Sequence, residues 1–134
     1  MDIKTKYLTE QDEDLALAAE FLSQGKTVIF PTETVYGLGA NALSKSAVEQ
    51  IFLAKGRPSD NPLIVHIGNR DDLSCLVEEI PKKAEELMDR FWPGPLTLIF
   101  KKSDLVPKIV TGGLDTVAVR MPSHPVAKRL LEIS

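Results

Sequence analysis

The chain has 134 residues, of which 43% are hydrophobic and 26% charged, and its formal net charge at pH 7 is −3. This length fits one domain, and the composition is that of a folded globular protein, which excludes a disordered or fibrous chain. The acidic balance argues against a broad cationic face for nonspecific nucleic-acid binding, although a local basic pocket is compatible with it.

Cysteine content and hydropathy narrow the class further. The single cysteine, Cys75, cannot form an internal disulfide or a cysteine-based metal site, and we expect it to be a small buried hydrophobe. No apolar run approaches the roughly 20 residues of a membrane span, and the N-terminus has no apolar signal-peptide core. The sequence therefore predicts a cytoplasmic protein with no membrane association.

Short apolar runs alternate with amphipathic segments along the whole chain. In the first half, Thr9 is predicted to cap a helix that Gly25 closes, and a buried strand follows over 27–30. Ser44 or Ser46 is predicted to cap a second helix that Gly56 ends, and a strand follows over 63–67. In the second half we predict a helix from Pro81 with its buried stripe at Ala84, Leu87, Met88 and Phe91, strands over 96–100 and 116–121, and a helix from Pro125 to Ile133 that Ser123 caps.

This order of elements predicts one α/β (α+β) domain over residues 1–134, with a mixed sheet and helices packed against it. The last helix runs to the end of the chain without a C-cap. A helix of about nine residues is marginal alone and needs packing partners. The helix could be docked on the sheet, but it also resembles a helix whose next strand has been left off, and we expect the domain to be incomplete at its C-terminus.

The segment PTETVYGLGANA (31–42) follows a predicted strand and contains two glycines. Gly37 and Gly39 allow unusual backbone conformations and the close approach of a ligand to the main chain, but a glycine-containing turn without a ligand explains them equally well. The spacing from Gly37 to Ala42 also matches a loose dinucleotide fingerprint. We discount that match, because the fingerprint should open a helix directly after its strand.

Three other segments carry polar residues suited to anions or to hydrogen bonding. Lys55 and Arg57, separated by one glycine, either converge on one anion or complement the dipole at a helix end. His66 interrupts an apolar strand and needs a hydrogen-bond partner if it is buried. Arg120 ends a strand, where it suits a carboxylate if it faces a pocket and is a solvated charge if it does not. Trp92 is expected to fill a core or a pocket wall.

The order and the amino-acid sequences of five segments closely resemble those of the YrdC-like family of threonylcarbamoyladenylate synthases over roughly residues 10–134. These segments are PTETVYGLG, KGRP, DNPLIVHI, WPGPLT and DTVAVRMPSHP. The resemblance implies a twisted mixed sheet around a basic concave groove. It also implies a nucleotidyltransferase that joins L-threonine, bicarbonate and ATP, releases pyrophosphate, and begins the threonylcarbamoyl modification of adenosine in tRNA.

The resemblance also assigns site residues. It implies L-threonine binding by Thr34, Tyr36, His66 and Arg120. It implies nucleotide binding by Lys55, Arg57, Asn61 and Thr116, with Lys55 and Arg57 as the catalytic cations. Mg²⁺ is expected to accompany ATP, with ligands that the sequence does not identify. Further partners implied by the family are tRNA and proteins of the same modification pathway.

One departure from the family pattern is a serine- and asparagine-bearing motif that would follow the last helix and is not found after Leu131. We therefore expect these residues alone to be inactive or severely impaired. Three rival functions stay open: a carbamoyladenylate-forming domain of a hydrogenase-maturation protein, a noncatalytic RNA-binding module, and a nicotinamide-dinucleotide enzyme.

Overall fold

The computed structural model describes residues 5–32, 35–56 and 62–134, and it shows the mixed α/β fold that the sequence predicts. Its helices and strands follow one another as α1 (Asp12–Ser23), β1 (Val28–Pro31), β2 (Tyr36–Gly39), α2 (Lys45–Lys55), β3 (Ile64–His66), α3 (Leu73–Leu76), α4 (Lys82–Phe91), β4 (Thr97–Lys101), β5 (Thr116–Arg120) and α5 (Pro125–Ile133). A 3-10 turn over Arg70–Asp72 leads into α3. Among the described helices, none is long and apolar enough to cross a membrane.

The described strands form two sheets, where the sequence led us to expect one. β1 and β2 pair as an antiparallel hairpin, and β3, β5 and β4 form a mixed sheet in that order. In the mixed sheet, β5 is central, parallel to β3 and antiparallel to β4. The outer edge of β3 faces away from β5, and within the described ranges no strand pairs with it.

Apolar side chains form two hydrophobic clusters. The larger cluster packs α2, α3 and α4 against one face of the mixed sheet and includes Val65, Val117, Val119, Met88 and Trp92. The smaller cluster joins α1, β1 and α5 through Leu15, Ala18, Phe30, Ala127 and Leu130. Alternation along β5 explains the division of the sheet faces, because Val117 and Val119 are buried while Thr116, Ala118 and Arg120 point to the opposite face.

The predicted caps of the first and last helices are wrong, while that of α2 is right. Thr9 lies two residues before the cap position at Gln11. Its N–H and hydroxyl donate to Asp14 Oδ2 at 2.7 and 2.8 Å, and its hydroxyl oxygen accepts from Gln11 N instead of from an N–H of the first turn. The bonds to Asp14 lower the pKa of its carboxyl. Ser44 caps α2 as predicted, accepting from Ala47 N. At α5, His124 Nδ1 accepts from a first-turn N–H, in the role we predicted for Ser123.

Other boundaries depart from prediction because local patterns do not report long-range pairing. β2 occupies residues that we interpreted as a turn, and β1 is half-exposed, with Ile29 68% exposed. Phe91, predicted in the buried stripe of α4, is 49% exposed, and Trp92 is buried in its place. The helix ends at Phe91, so the chain turns there and directs the indole inward.

A candidate substrate cavity beside the edge strand

A cavity of about 750 Å³ lies between the β1–β2 hairpin and the edge strand β3. Residues of α1, α2 and α5 complete its wall. Four residues that the sequence singled out, Tyr36, Lys55, His66 and Arg120, line this one cavity although they are far apart in the chain. Its size is within the range of small-molecule sites.

The floor of the site is a row of polar side chains across the mixed sheet. In the register of the strands, His66 of β3 and Thr97 of β4 both lie directly opposite Arg120 of β5. Neighbouring strands are about 4.8 Å apart, so these three side chains stand side by side on one face. Arg120 donates from Nε to Thr97 Oγ1 at 2.9 Å, and both residues are partly buried.

His66 is held between the two sheets. Its Nδ1 lies 3.2 Å from Ile64 O, and its ring meets Phe30 edge-on, with centroids 6.4 Å apart and an interplanar angle of 83°. Phe30 belongs to the smaller hydrophobic cluster, so this contact connects that cluster to the polar row. The sequence required a hydrogen-bond partner for this histidine but did not reveal the aromatic one.

Lys55 lies in the last turn of α2, which ends at Gly56 in the left-handed conformation at φ 63°. Its side chain is exposed and lines the cavity, and it forms no ion pair with any residue in the described part of the chain. The ammonium group is therefore available to an anion in the cavity as well as to the helix dipole.

The backbone of the two hairpin glycines does not adopt the unusual conformations that we predicted, whereas the approach of a ligand to them stays a prediction, since both line the cavity. Neither Gly37 nor Gly39 has a positive φ, and both lie within β2. Gly39 is needed because a Cβ there would lie 2.5 Å from Phe30 Cε1, whereas at Gly37 the nearest atom would be 3.8 Å away. The absence of a side chain at Gly39 thus leaves room for the ring of Phe30. Their place in a strand also agrees with our rejection of the dinucleotide fingerprint.

Two lining residues were missed or misjudged. Asp72 lines the cavity and is the last residue of a 3-10 turn that no sequence pattern indicated. Cys75, predicted to be buried, is exposed and also lines the cavity. Its thiol donates to Asp72 O at 3.1 Å. A four-residue helix buries only one side, and Leu73 and Leu76 occupy that side.

The remaining predicted site residues are not all placed in the cavity. Thr116 is exposed at the other end of β5 and does not line it, about 13 Å from Arg120 along the strand at 3.3 Å per residue. Its assignment stays a prediction. Thr34, Arg57 and Asn61 lie outside the described residues. Over the described ranges, no group of three metal-ligating side chains is present, and the Mg²⁺ expected with ATP stays a prediction.

The described lining combines two cations, Lys55 and Arg120, with one carboxylate, Asp72. Most of its other residues are apolar, so charges on a ligand would meet few other charged groups in the described lining. A guanidinium in this setting suits a carboxylate, and an ammonium suits a phosphate. The arrangement therefore fits a small ligand set that carries both groups.

Comparison with known proteins places these features in a family. The Sua5/YciO/YrdC family model, described as telomere recombination, matches residues 20–134. The chain is 62% identical over 120 residues to the threonylcarbamoyl-AMP synthase of Pyrococcus abyssi, covering 90% of this chain and 35% of that protein. It is 54% identical over 131 residues to the Bacillus subtilis threonylcarbamoyl-AMP synthase, covering 97% and 38%.

A solved structure gives the same relationship. The crystal structure of P. abyssi Sua5 complexed with L-threonine superposes with a TM-score of 0.89 at 58% identity, covering 96% of this chain and 37% of that one. The chain thus spans little more than a third of the length of these relatives.

Proposed function

Because the chain belongs to the Sua5/YciO/YrdC family, matched over residues 20–134, we propose that it carries the substrate cavity of a threonylcarbamoyl-AMP synthase. The enzyme would join L-threonine, bicarbonate and ATP and release pyrophosphate. Its product would supply the threonylcarbamoyl group for adenosine in tRNA, and we propose a cytoplasmic location. The observation that carries the proposal is the single cavity lined by Lys55, His66 and Arg120.

The names of the relatives support this function over the rivals. Two proteins at 62% and 54% identity are threonylcarbamoyl-AMP synthases, and a structure at 58% identity is a complex with L-threonine. The acidic net charge of −3 offers little for a noncatalytic RNA-binding module. The strand position of Gly37 and Gly39 gives no support to a dinucleotide site.

The chemistry explains the residues of the cavity. The amine of L-threonine and bicarbonate condense to a carbamate with loss of water. A carbamate oxygen then bonds to the α-phosphorus of ATP, and the bond from that phosphorus to the bridging oxygen breaks, releasing pyrophosphate. Nucleophile and target are both anionic, so the barrier is lowered mainly by holding them together and stabilising their charge.

Each described residue has a part in that arrangement. Arg120 would grip the carboxylate of L-threonine, and His66 beside it would contact the same substrate. Lys55, across the cavity on α2, would neutralise phosphate oxygens, together with Arg57. Mg²⁺ bound with ATP would supply further neutralisation of the phosphates. Substrates that fill the cavity would strengthen these interactions by displacing water from it.

Ligand binding tests the proposal directly. Isothermal titration calorimetry should show L-threonine binding that Arg120→Met weakens by about 10- to 100-fold, since a charge-assisted bond is lost. Lys55→Gln should weaken binding of inorganic triphosphate by about fivefold while leaving L-threonine unaffected. Lys82→Gln, at the start of α4 and away from the cavity lining, is the matched control and should change neither affinity.

The reaction itself would be release of pyrophosphate from ATP that requires both L-threonine and bicarbonate. Residues 1–134 alone are expected to be inactive or severely impaired in it, and near-normal turnover would contradict that expectation. A protein that binds neither L-threonine nor triphosphate would refute the proposal. So would pyrophosphate release that proceeds equally well without the amino acid.

A further inference from the structure

Arg120 is held at one edge of its guanidinium group by a residue outside the cavity. Its Nε donates to Thr97 Oγ1 at 2.9 Å. Thr97 does not line the cavity, whereas Arg120 and His66 do. The Thr97 hydroxyl therefore contacts the guanidinium group on the side that faces away from the cavity.

This contact determines which edge of the guanidinium group stays available. A guanidinium presents five N–H groups in a planar fork, and it can grip a carboxylate through Nε and one terminal nitrogen or through both terminal nitrogens. With Nε engaged by Thr97, only the second edge remains. Within residues 5–32, 35–56 and 62–134, the terminal nitrogens of Arg120 form no hydrogen bond and no ion pair.

Thr97 is itself fixed by the WPGPLT segment that precedes it, a motif with no role in the function proposed above. Trp92 is buried, and its indole N–H donates to Leu96 O at 2.7 Å. Gly94 N donates to Met121 O at 2.8 Å, which ties this segment to the residue after β5. A Cβ at Gly94 would lie 2.5 Å from Phe91 O, so the segment closes tightly there. These contacts start β4 in the register that places Thr97 opposite Arg120.

We propose that Thr97 is a positioning residue for substrate binding: its hydroxyl occupies Nε of Arg120 and directs the two terminal nitrogens of that arginine at the carboxylate in the cavity. The WPGPLT segment is the framework that holds the hydroxyl in place. This inference rests on the proposed function, because it takes the ligand of Arg120 to be the carboxylate of L-threonine.

A purely structural role makes a different prediction. A cross-strand pair on an open sheet face stabilises the sheet by a few tenths of a kcal/mol to about 1 kcal/mol whatever is bound. Loss of such a pair would lower the melting temperature but would affect all cavity ligands alike. A positioning role affects ligands that carry a carboxylate and spares those that lack it.

The test compares Thr97→Val with Thr97→Ser in the chain as it stands. Valine keeps the β-branched shape that suits a strand and removes the hydroxyl, whereas serine keeps the hydroxyl. Thr27→Val makes the same chemical change at a partly buried threonine outside the cavity lining, as a matched control. Binding of L-threonine and of L-threoninol, in which a hydroxymethyl group replaces the carboxylate, is measured by calorimetry for each variant.

We expect Thr97→Val to weaken L-threonine binding by about five- to tenfold, less than loss of the arginine itself because the guanidinium keeps its charge and loses only its orientation, and to leave L-threoninol binding unchanged. Thr97→Ser and Thr27→Val should bind both ligands like the unaltered protein. In the background of Arg120→Met, Thr97→Val should have no additional effect, because the two residues act through one contact.

A second measurement needs no ligand. In the unaltered protein, the Nε–H resonance of Arg120 in a ¹H–¹⁵N spectrum should exchange slowly with water, and Thr97→Val should abolish that protection while Thr97→Ser keeps it. Equal weakening of both ligands by Thr97→Val, or an unprotected Nε–H in the unaltered protein, would overturn the positioning role. Failure of the unaltered protein to bind L-threonine would instead refute the proposed function, together with the carboxylate that this role requires.

Discussion

Replacement of Gly39 by alanine tests the packing that holds the histidine of the cavity. The added Cβ would lie 2.5 Å from Phe30 Cε1, where unstrained carbon atoms are about 3.5 Å apart. The ring must therefore move by about 1 Å. Phe30 is 9% exposed and belongs to the smaller cluster, but it also lines the cavity, so the movement either disturbs packed neighbours or narrows the space for a ligand.

Overpacking of this kind lowers the free energy of unfolding by about 1–3 kcal/mol. For a domain of this size, each kcal/mol corresponds to a fall in melting temperature of about 3–5 °C. The displaced ring would also lose its edge-on contact with His66, now 6.4 Å between centroids, so L-threonine binding should weaken along with stability. Urea denaturation followed by circular dichroism measures the first effect, and calorimetry measures the second.

Gly37→Ala is the matched control, since a Cβ there meets only ordinary contacts at 3.8 Å and beyond. It should be neutral or stabilise by up to about 1 kcal/mol through a less flexible unfolded chain. Adding Phe30→Leu to Gly39→Ala should recover part of the lost stability by removing the clash. If Gly39→Ala were as stable as Gly37→Ala, the packing argument would be refuted.

Three further changes test separate parts of the fold. Gly68→Ala puts a Cβ 2.8 Å from the backbone of the last turn of α5. This overpacking should lower the free energy of unfolding, measured by urea denaturation, by about 1–3 kcal/mol. Unchanged stability would contradict that contact. Ser44→Ala removes the cap of α2 and should lower the unfolding free energy by about 1 kcal/mol, whereas Ser46→Ala, which removes only a contact of 3.3 Å with the Ser44 hydroxyl, should cost less. The hydrogen bonds from Thr9 hold the pKa of Asp14 below its ordinary value of 3.8. The stabilisation that they provide is therefore present above pH 3.8 and is lost as the pH falls through the lowered pKa. Titration followed by the carboxyl ¹³C resonance measures this pKa, and a value at or above 3.8 would contradict the expectation.

Sequence reasoning succeeded where a local pattern determines the structure. Apolar periodicity and cap or breaker residues predict five elements whose observed bounds lie within about a residue of the prediction. These are α2, α5, β3, β4 and β5. Lys55, His66 and Arg120 were chosen partly from family resemblance, and the structure brings all three to one cavity. Their convergence depends on strand order, which periodicity does not encode.

The remainder depended on pairing between distant segments. The hairpin strand β2 was interpreted as a turn because its glycines obscured the alternation of a strand, and Gly39 is explained only by the aromatic ring of Phe30 on the neighbouring strand. Thr97 was missed because nothing near it in the chain indicates that it faces Arg120. Alternation along TLIFK does place Thr97 on one face, but the partner on that face is 23 residues away.

The division of the apolar side chains into two clusters has a consequence for cooperativity. Members of both clusters, among them Phe30 and Leu130 on one side and Val65 and Val110 on the other, line the same cavity. A ligand that fills this space adds contacts to each cluster, so its binding energy opposes the local opening of either one. Occupancy would thus join two separately packed units into one cooperative unfolding unit, and amide exchange would slow in helices that never touch the ligand.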